Sequence, residues 1–172
     1  IGAVRAFLIS SYFVSGGVGA TFINSVLVGG FGMFLMGREG IKRNGGIMMA
    51  IWMTSGLACF GKNVFNMIPI TFGVWLLSKY EKRPFRNYAL AALLSSTLCP
   101  VVSEPITSGM FTFPFMGILM GILLGILVGF IFPPISAYTT RVHSGYCLYN
   151  LGFCGGMIAA FLTFIFKSMG IV

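Results

Sequence analysis

Phe113-Pro-Phe-Met-Gly-Ile-Leu-Met-Gly-Ile-Leu-Leu-Gly-Ile-Leu-Val-Gly-Phe-Ile-Phe132 decides the class of this chain. The stretch is 20 residues long and holds no charged or hydrogen-bonding side chain. Crossing the hydrocarbon core of a bilayer takes about 20 such residues. Gly117, Gly121, Gly125 and Gly129 recur at every fourth position, which puts them on one face of a helix. A glycine stripe lets a second helix approach closely, and such packing is the main driving force for helix association in lipid. We read these four residues as a helix-packing face.

The rest of the composition agrees. The chain is 57% hydrophobic and 8% charged, with a mean hydropathy of +0.96. A soluble domain carries roughly 25% charged residues, so the bilayer is the expected solvent and an all-α polytopic membrane protein the expected fold class. The net charge of +8 does not point to nucleic acid, because the basic residues form short clusters between apolar runs and no basic stripe with interleaved aromatics is present. Cys59, Cys99, Cys147 and Cys154 show no metal-ligand spacing and read as small buried hydrophobes. No metal or other cofactor is expected.

Working outward along the chain, we expect about seven transmembrane or re-entrant helices. The first spans about 1–15 and the second about 18–36. A Gly-rich basic loop over 37–46 precedes the third, about 47–60. The fourth, about 67–77, follows a break at Gly61–Asn66. Both of these segments are short, which suits a re-entrant hairpin or two broken helices as well as two crossings. A basic loop over 79–86 leads to the fifth span, about 88–102, and a polar break over 103–109 follows. The sixth span is the opening stretch, with Pro133-Pro134 expected to stop it. A polar connection over 135–144 leads to the seventh span, about 145–166. Placing Arg38, Lys42 and Arg43 in the cytoplasm brings Arg5, Lys79, Lys82, Arg83, Arg86 and Arg141 to the same side. Nine of the eleven basic residues then obey the positive-inside rule, and only Lys62 and Lys167 fall outside.

Three stretches share one pattern: Gly19-Ala-Thr-Phe-Ile-Asn24, Gly61-Lys-Asn-Val-Phe-Asn66 and Gly145-Tyr-Cys-Leu-Tyr-Asn150. The first and third are each followed at equal spacing by a glycine pair, Gly29-Gly30 and Gly155-Gly156. We read them as two copies of one element, each inside a helix. The predicted topology sends the two copies across the membrane in opposite directions. That is the inverted-repeat architecture of many transporters, whose solute sites lie where the halves meet. The expected division is a single transmembrane domain over 1–172, with a first structural repeat over 15–125 and the start of a second over 135–172. The start at Ile1 and the end soon after an apolar span suggest a fragment of a longer protein.

No catalytic constellation is visible, and an enzyme is not expected. The amides Asn24, Asn66 and Asn150 are the expected solute-binding residues. Interhelical hydrogen bonding is their simpler role. Lys62, Glu104 and His143 are the expected pore-entrance residues. Lys62 either faces a pore or anionic solute, or snorkels to the interface. Glu104 either lines a vestibule as a cation or proton site, or is an ordinary loop carboxylate. His143 either relays protons or is a loop residue at the cytoplasmic face.

The stretches Gly16–Ser25, Phe60–Ile70 and Arg141–Phe153 resemble the prokaryotic membrane proteins grouped as domain of unknown function 1576. The likeness covers nearly the whole chain in order. It implies a multi-pass protein of the inner (plasma) membrane, longer at both ends than this chain, and implies no activity. The repeated Gly/Asn element also has a faint likeness to urea transporters, in which two inverted halves form a pore. Together these readings point to a transporter or channel for a small polar solute, with a neutral solute favoured by the amides. The partners implied are the lipid bilayer, that solute, and the remainder of the same protein or further copies of it. The alternative is a non-transporting membrane scaffold or partner subunit that uses the Gly117–Gly129 face. A membrane-embedded enzyme ranks third.

Overall fold

A computed structural model describes residues 12–42, 44–107, 113–147 and 149–168, and every regular element among them is helical. The elements are α1 (Tyr12–Ser15), α2 (Gly17–Arg38), α3 (Gly45–Leu57), α4 (Val64–Tyr80), α5 (Ala89–Ser95), α6 (Pro100–Thr107), α7 (Pro114–Val142) and α8 (Asn150–Ser168). Short 3₁₀ turns at Phe85–Tyr88 and Ser96–Leu98 join α5 to its neighbours, giving one interrupted helix over Phe85–Thr107. Among the described residues, this composite, α2, α7 and α8 are the four helices long and apolar enough to cross a membrane. The chain is an all-α polytopic membrane protein.

Its surface is apolar where a soluble protein is polar. Val26 and Trp52 are each 73% exposed, and Phe65 is 86% exposed. In water such a surface would aggregate, whereas in lipid tails it costs nothing. Lys79 lies over the Trp75 ring at 5.4 Å at the basic end of α4, the pairing expected of an interfacial anchor.

The centre of the fold is the packing of α7 on α4 and α6. A Cβ added at Gly129 would lie 1.9 Å from the Ile70 carbonyl oxygen, and one at Gly121 2.2 Å from that of Val102. Gly117 sits against Pro105, and Gly125 against Val102 and Pro69. Gly73 on α4 returns the contact against Ile126. Backbone therefore meets backbone along the stripe, and its partners belong to the same chain.

Several expected boundaries are overturned. Pro133-Pro134 does not stop α7, which continues through the expected connection to Val142. The missing proline N–H groups free the Gly129 and Phe130 carbonyls, while Ser136 Oγ donates to Pro133 O at 2.7 Å and Cys154 Sγ to Phe132 O at 3.8 Å just beyond them. Membrane helices tolerate proline inside them. The polar break expected over 103–109 lies earlier, because α6 carries Ser103 and Glu104 in helical conformation. The irregularity is at Ser96–Leu98, just before Pro100, whose missing N–H tightens the preceding turn so that Cys99 N bonds Ser96 O. The Gly19 and Gly145 copies also differ. Gly19–Asn24 lies inside α2, whereas Gly145 turns the chain at φ +82° and Asn150 opens α8. The Gly145 stretch is closer in form to Gly61–Asn66, where Gly61 turns at φ +84° just before α4. Of the expected first span, 1–11 lies outside the described residues, as does Gly109.

Candidate functional site

The break between α3 and α4 brings together Lys62, Asn63 and Asn66 with Asn24 of α2, Ser96 and Ser103. α3 has 13 residues, about 20 Å of helix, too little to cross the hydrocarbon core. Its chain then leaves the helix, turns at Gly61 and re-enters helix at Val64. Asn63 and Asn66 form a capping box, each side chain accepting from the other's backbone N–H at 2.9 Å. That pair meets the donors of the first turn of α4. The carbonyls of the break are met from elsewhere. Asn24 Nδ2, on α2, donates to Ala58 O at 2.8 Å and Lys62 O at 2.7 Å. Asn66 Nδ2 donates to Gly61 O at 2.9 Å and to Ser103 Oγ at 3.0 Å. Tyr12 N donates to Cys59 O at 3.0 Å, and Asn63 Nδ2 to Tyr12 Oη at 3.2 Å. Irregular backbone survives at membrane depth only with such cover.

The break lies beside the body of α2 and away from both its ends. Asn24 is fourteen residues from Arg38 and seven from Gly17, so about 21 Å and 10 Å from the two ends of α2. Lys62 is turned inward from there. It is 1% exposed, and its Nζ donates to Ser96 Oγ at 2.6 Å. The Ser96 hydroxyl donates in turn to Leu93 O. Lys62 therefore does not snorkel to the interface. Arg83 and Glu81 form an ion pair far along the chain at the basic loop. A pocket of about 400 Å³ is walled by Lys62 together with Leu57, Phe60, Thr97, Leu98 and Val101. A second, of about 600 Å³, has Asn63, Asn66 and Ser103 as polar groups in an otherwise apolar lining.

The other expected site residues are elsewhere. Asn150 belongs to a separate cluster at the turn between α7 and α8. Its Oδ1 accepts from Thr139 Oγ1 at 2.8 Å and lies 2.7 Å from His143 Nε2, while its Nδ2 donates to Ser136 O at 2.7 Å. That cluster closes on itself, so His143 and Asn150 are held together as a helix-turn device. Asn24 and Asn150 thus contact different segments, and the three amides do not converge. Glu104 is half-buried on α6, next to Ser103. No group of three or more His, Cys, Asp or Glu that could hold a metal stands among the described residues.

Sequence reasoning missed Ser96, Thr97, Ser103, Asn63 and Tyr12. Two signals were present. Asn63 and Asn66 have capping-box spacing after a glycine, and Ser95-Ser96-Thr97 interrupts an apolar run shortly before Pro100. Two interrupted segments, α3–α4 and α5–α6, therefore face each other through Lys62–Ser96 and Asn66–Ser103.

No curated protein and no solved structure matches the chain. The sequence family described as "Protein of unknown function (DUF1576)" matches residues 1–168. The chain belongs to the DUF1576 family.

Proposed function

We propose that this chain is a membrane transport protein, a channel or carrier for a small polar solute in the inner membrane of a prokaryote, with its site at the Lys62 break. One observation carries the reading: an ammonium 1% exposed in the interior of an apolar helix bundle, resting on a hydroxyl. A charge at the centre of a membrane helix costs roughly 2.5–3.5 kcal/mol on insertion scales. Methionine would fill the same space without that cost, so stability alone does not account for a lysine there. Intramembrane charges mark solute and ion pathways, and paired helix breaks are where transporters place their sites. The scaffold alternative loses its surface, because the Gly117–Gly129 face is covered by α4 and α6 of the same chain.

The test is solute permeation. Purified protein in liposomes is given an osmotic step with a panel of polar solutes (urea, glycerol, formamide, acetate) and followed by stopped-flow light scattering. At least one solute is expected to re-equilibrate faster than in protein-free liposomes, and Lys62→Met to remove the difference. Identical rates with and without protein for the whole panel would overturn the reading.

A further inference from the structure

We propose that Lys62 and Thr97 form an anion-binding site in the pocket of about 400 Å³, and that its ligand is a small monoanion with an apolar body, of the carboxylate class. As a statement about the transported solute this rests on the reading above; as a statement about binding it stands apart from it.

The argument is one of unused donors. An ammonium carries three N–H donors and no acceptor. Lys62 spends one of them on Ser96, and no other acceptor for it is found among the described residues. Thr97 lines the same pocket. Its hydroxyl, which in a helix ordinarily bonds a carbonyl of the preceding turn, makes no hydrogen bond with any described residue. The wall thus carries a buried ammonium with donors unspent, in an interior where an unmet polar group is expensive, and the half-buried Thr97 hydroxyl. The remaining lining is Leu57, Phe60, Leu98, Pro100, Val101 and Ala159. A carboxylate answers both halves of this description: its oxygens accept from the ammonium and the hydroxyl, and its hydrocarbon part fills the apolar remainder. A neutral polar solute, which the sequence favoured, can meet the hydroxyl but leaves the charge unbalanced. Bare inorganic ions leave the apolar wall unfilled.

The probe is tritiated benzoate, with its neutral counterpart benzamide as control. Binding is measured by scintillation proximity on protein in phosphatidylcholine nanodiscs. The expected result is saturable binding displaced by unlabelled benzoate and isobutyrate and not by benzamide. Lys62→Gln is expected to weaken it about tenfold or more, the scale of a lost hydrogen bond to a charged group, and Lys62→Arg to retain it. Thr97→Val removes a hydroxyl at the pocket wall with little change of volume, so it keeps the test open should Lys62→Gln fail to fold; it is expected to weaken benzoate and leave thermal unfolding unchanged. Absence of saturable benzoate binding, displacement by benzamide equal to that by benzoate, or unaltered binding in folded Lys62→Gln or Thr97→Val would each overturn the proposal. Added phosphatidylglycerol separates the two sources of such an anion. If it abolishes benzoate binding at a few lipids per disc, the site holds a lipid headgroup and the solute assignment fails. Permeation of neutral solutes without benzoate binding would sink this inference and leave the transport reading standing. Lys62-dependent benzoate binding without permeation of any solute would do the reverse.

Discussion

Lys62 is the residue whose role a stability measurement can decide. Its ammonium rests on one hydroxyl, so exchanging it for a side chain of similar volume removes a desolvation cost and one hydrogen bond. Replacing buried charges by apolar groups of the same shape is often neutral or stabilising. Lys62→Met is therefore expected to leave the unfolding temperature in detergent unchanged or raised while abolishing permeation, as residues retained for function at the expense of stability do. A drop in stability of about 2 kcal/mol or more would instead make Lys62 a structural strut. Asn24 is the contrasting case. It meets two carbonyls of the break that have no helix to serve them, and membrane hydrogen bonds are worth roughly 0.6–2 kcal/mol each. Asn24→Ala is expected to destabilise by about 1–3 kcal/mol, read by thermal unfolding. Asn150→Ala is expected to loosen the α7–α8 turn by a similar amount and to leave benzoate binding intact, because its partners Ser136, Thr139 and His143 do not touch the break.

At the scale of elements, the glycine period of α7 was readable in the sequence and its partners were not. Periodicity says which residues share a face; it does not say that Gly129 meets Ile70 or that Gly121 meets Val102. The contact makes a sharp prediction. Gly129→Ala puts a methyl where a backbone carbonyl already stands, 1.9 Å away, and neither helix backbone can yield cheaply. A loss of about 1–3 kcal/mol is expected, the usual cost of overpacking. Gly30→Ala on α2 is the control, since nothing lies within 4 Å of its added Cβ. There the better helix propensity of alanine is expected to leave stability unchanged or slightly raised. Thermal unfolding of the two variants side by side reads both. The prolines show the opposite case, where the local rule misled. Pro133-Pro134 reads as a helix stop, yet α7 continues through it to Val142, with Phe132 and Pro133 buried against its neighbours. Whether a proline ends a helix depends on what stands beside it, which spacing along the chain does not contain. The Gly19 and Gly145 stretches misled for a related reason: equal residues took helical form in one place and a turn in the other.

For the molecule as a whole, the basic clusters and the helix ends set up a topology test. Gly16, before α2, and Tyr146, after α7, are both exposed, and Tyr146 follows the basic end at Arg141. On a background without native cysteines, Tyr146→Cys is expected to react with a membrane-impermeant maleimide only from the face carrying the basic loops. Gly16→Cys is expected to react only from the opposite face; labelling of both from one side would overturn the crossing of α2 or of α7. The membrane class follows from composition, because transfer into lipid is a sum over residues and does not depend on which helix touches which. The site does not follow in that way. The sequence shows a lysine beside a glycine in an apolar chain, and its free energy permits either a snorkelling side chain or a buried one. Only the fold brings Ser96, 34 positions away, under the ammonium and Asn24 over the broken backbone. Burial and hydrogen-bond partnership belong to pairs of residues distant in the chain, and the tertiary structure decided them.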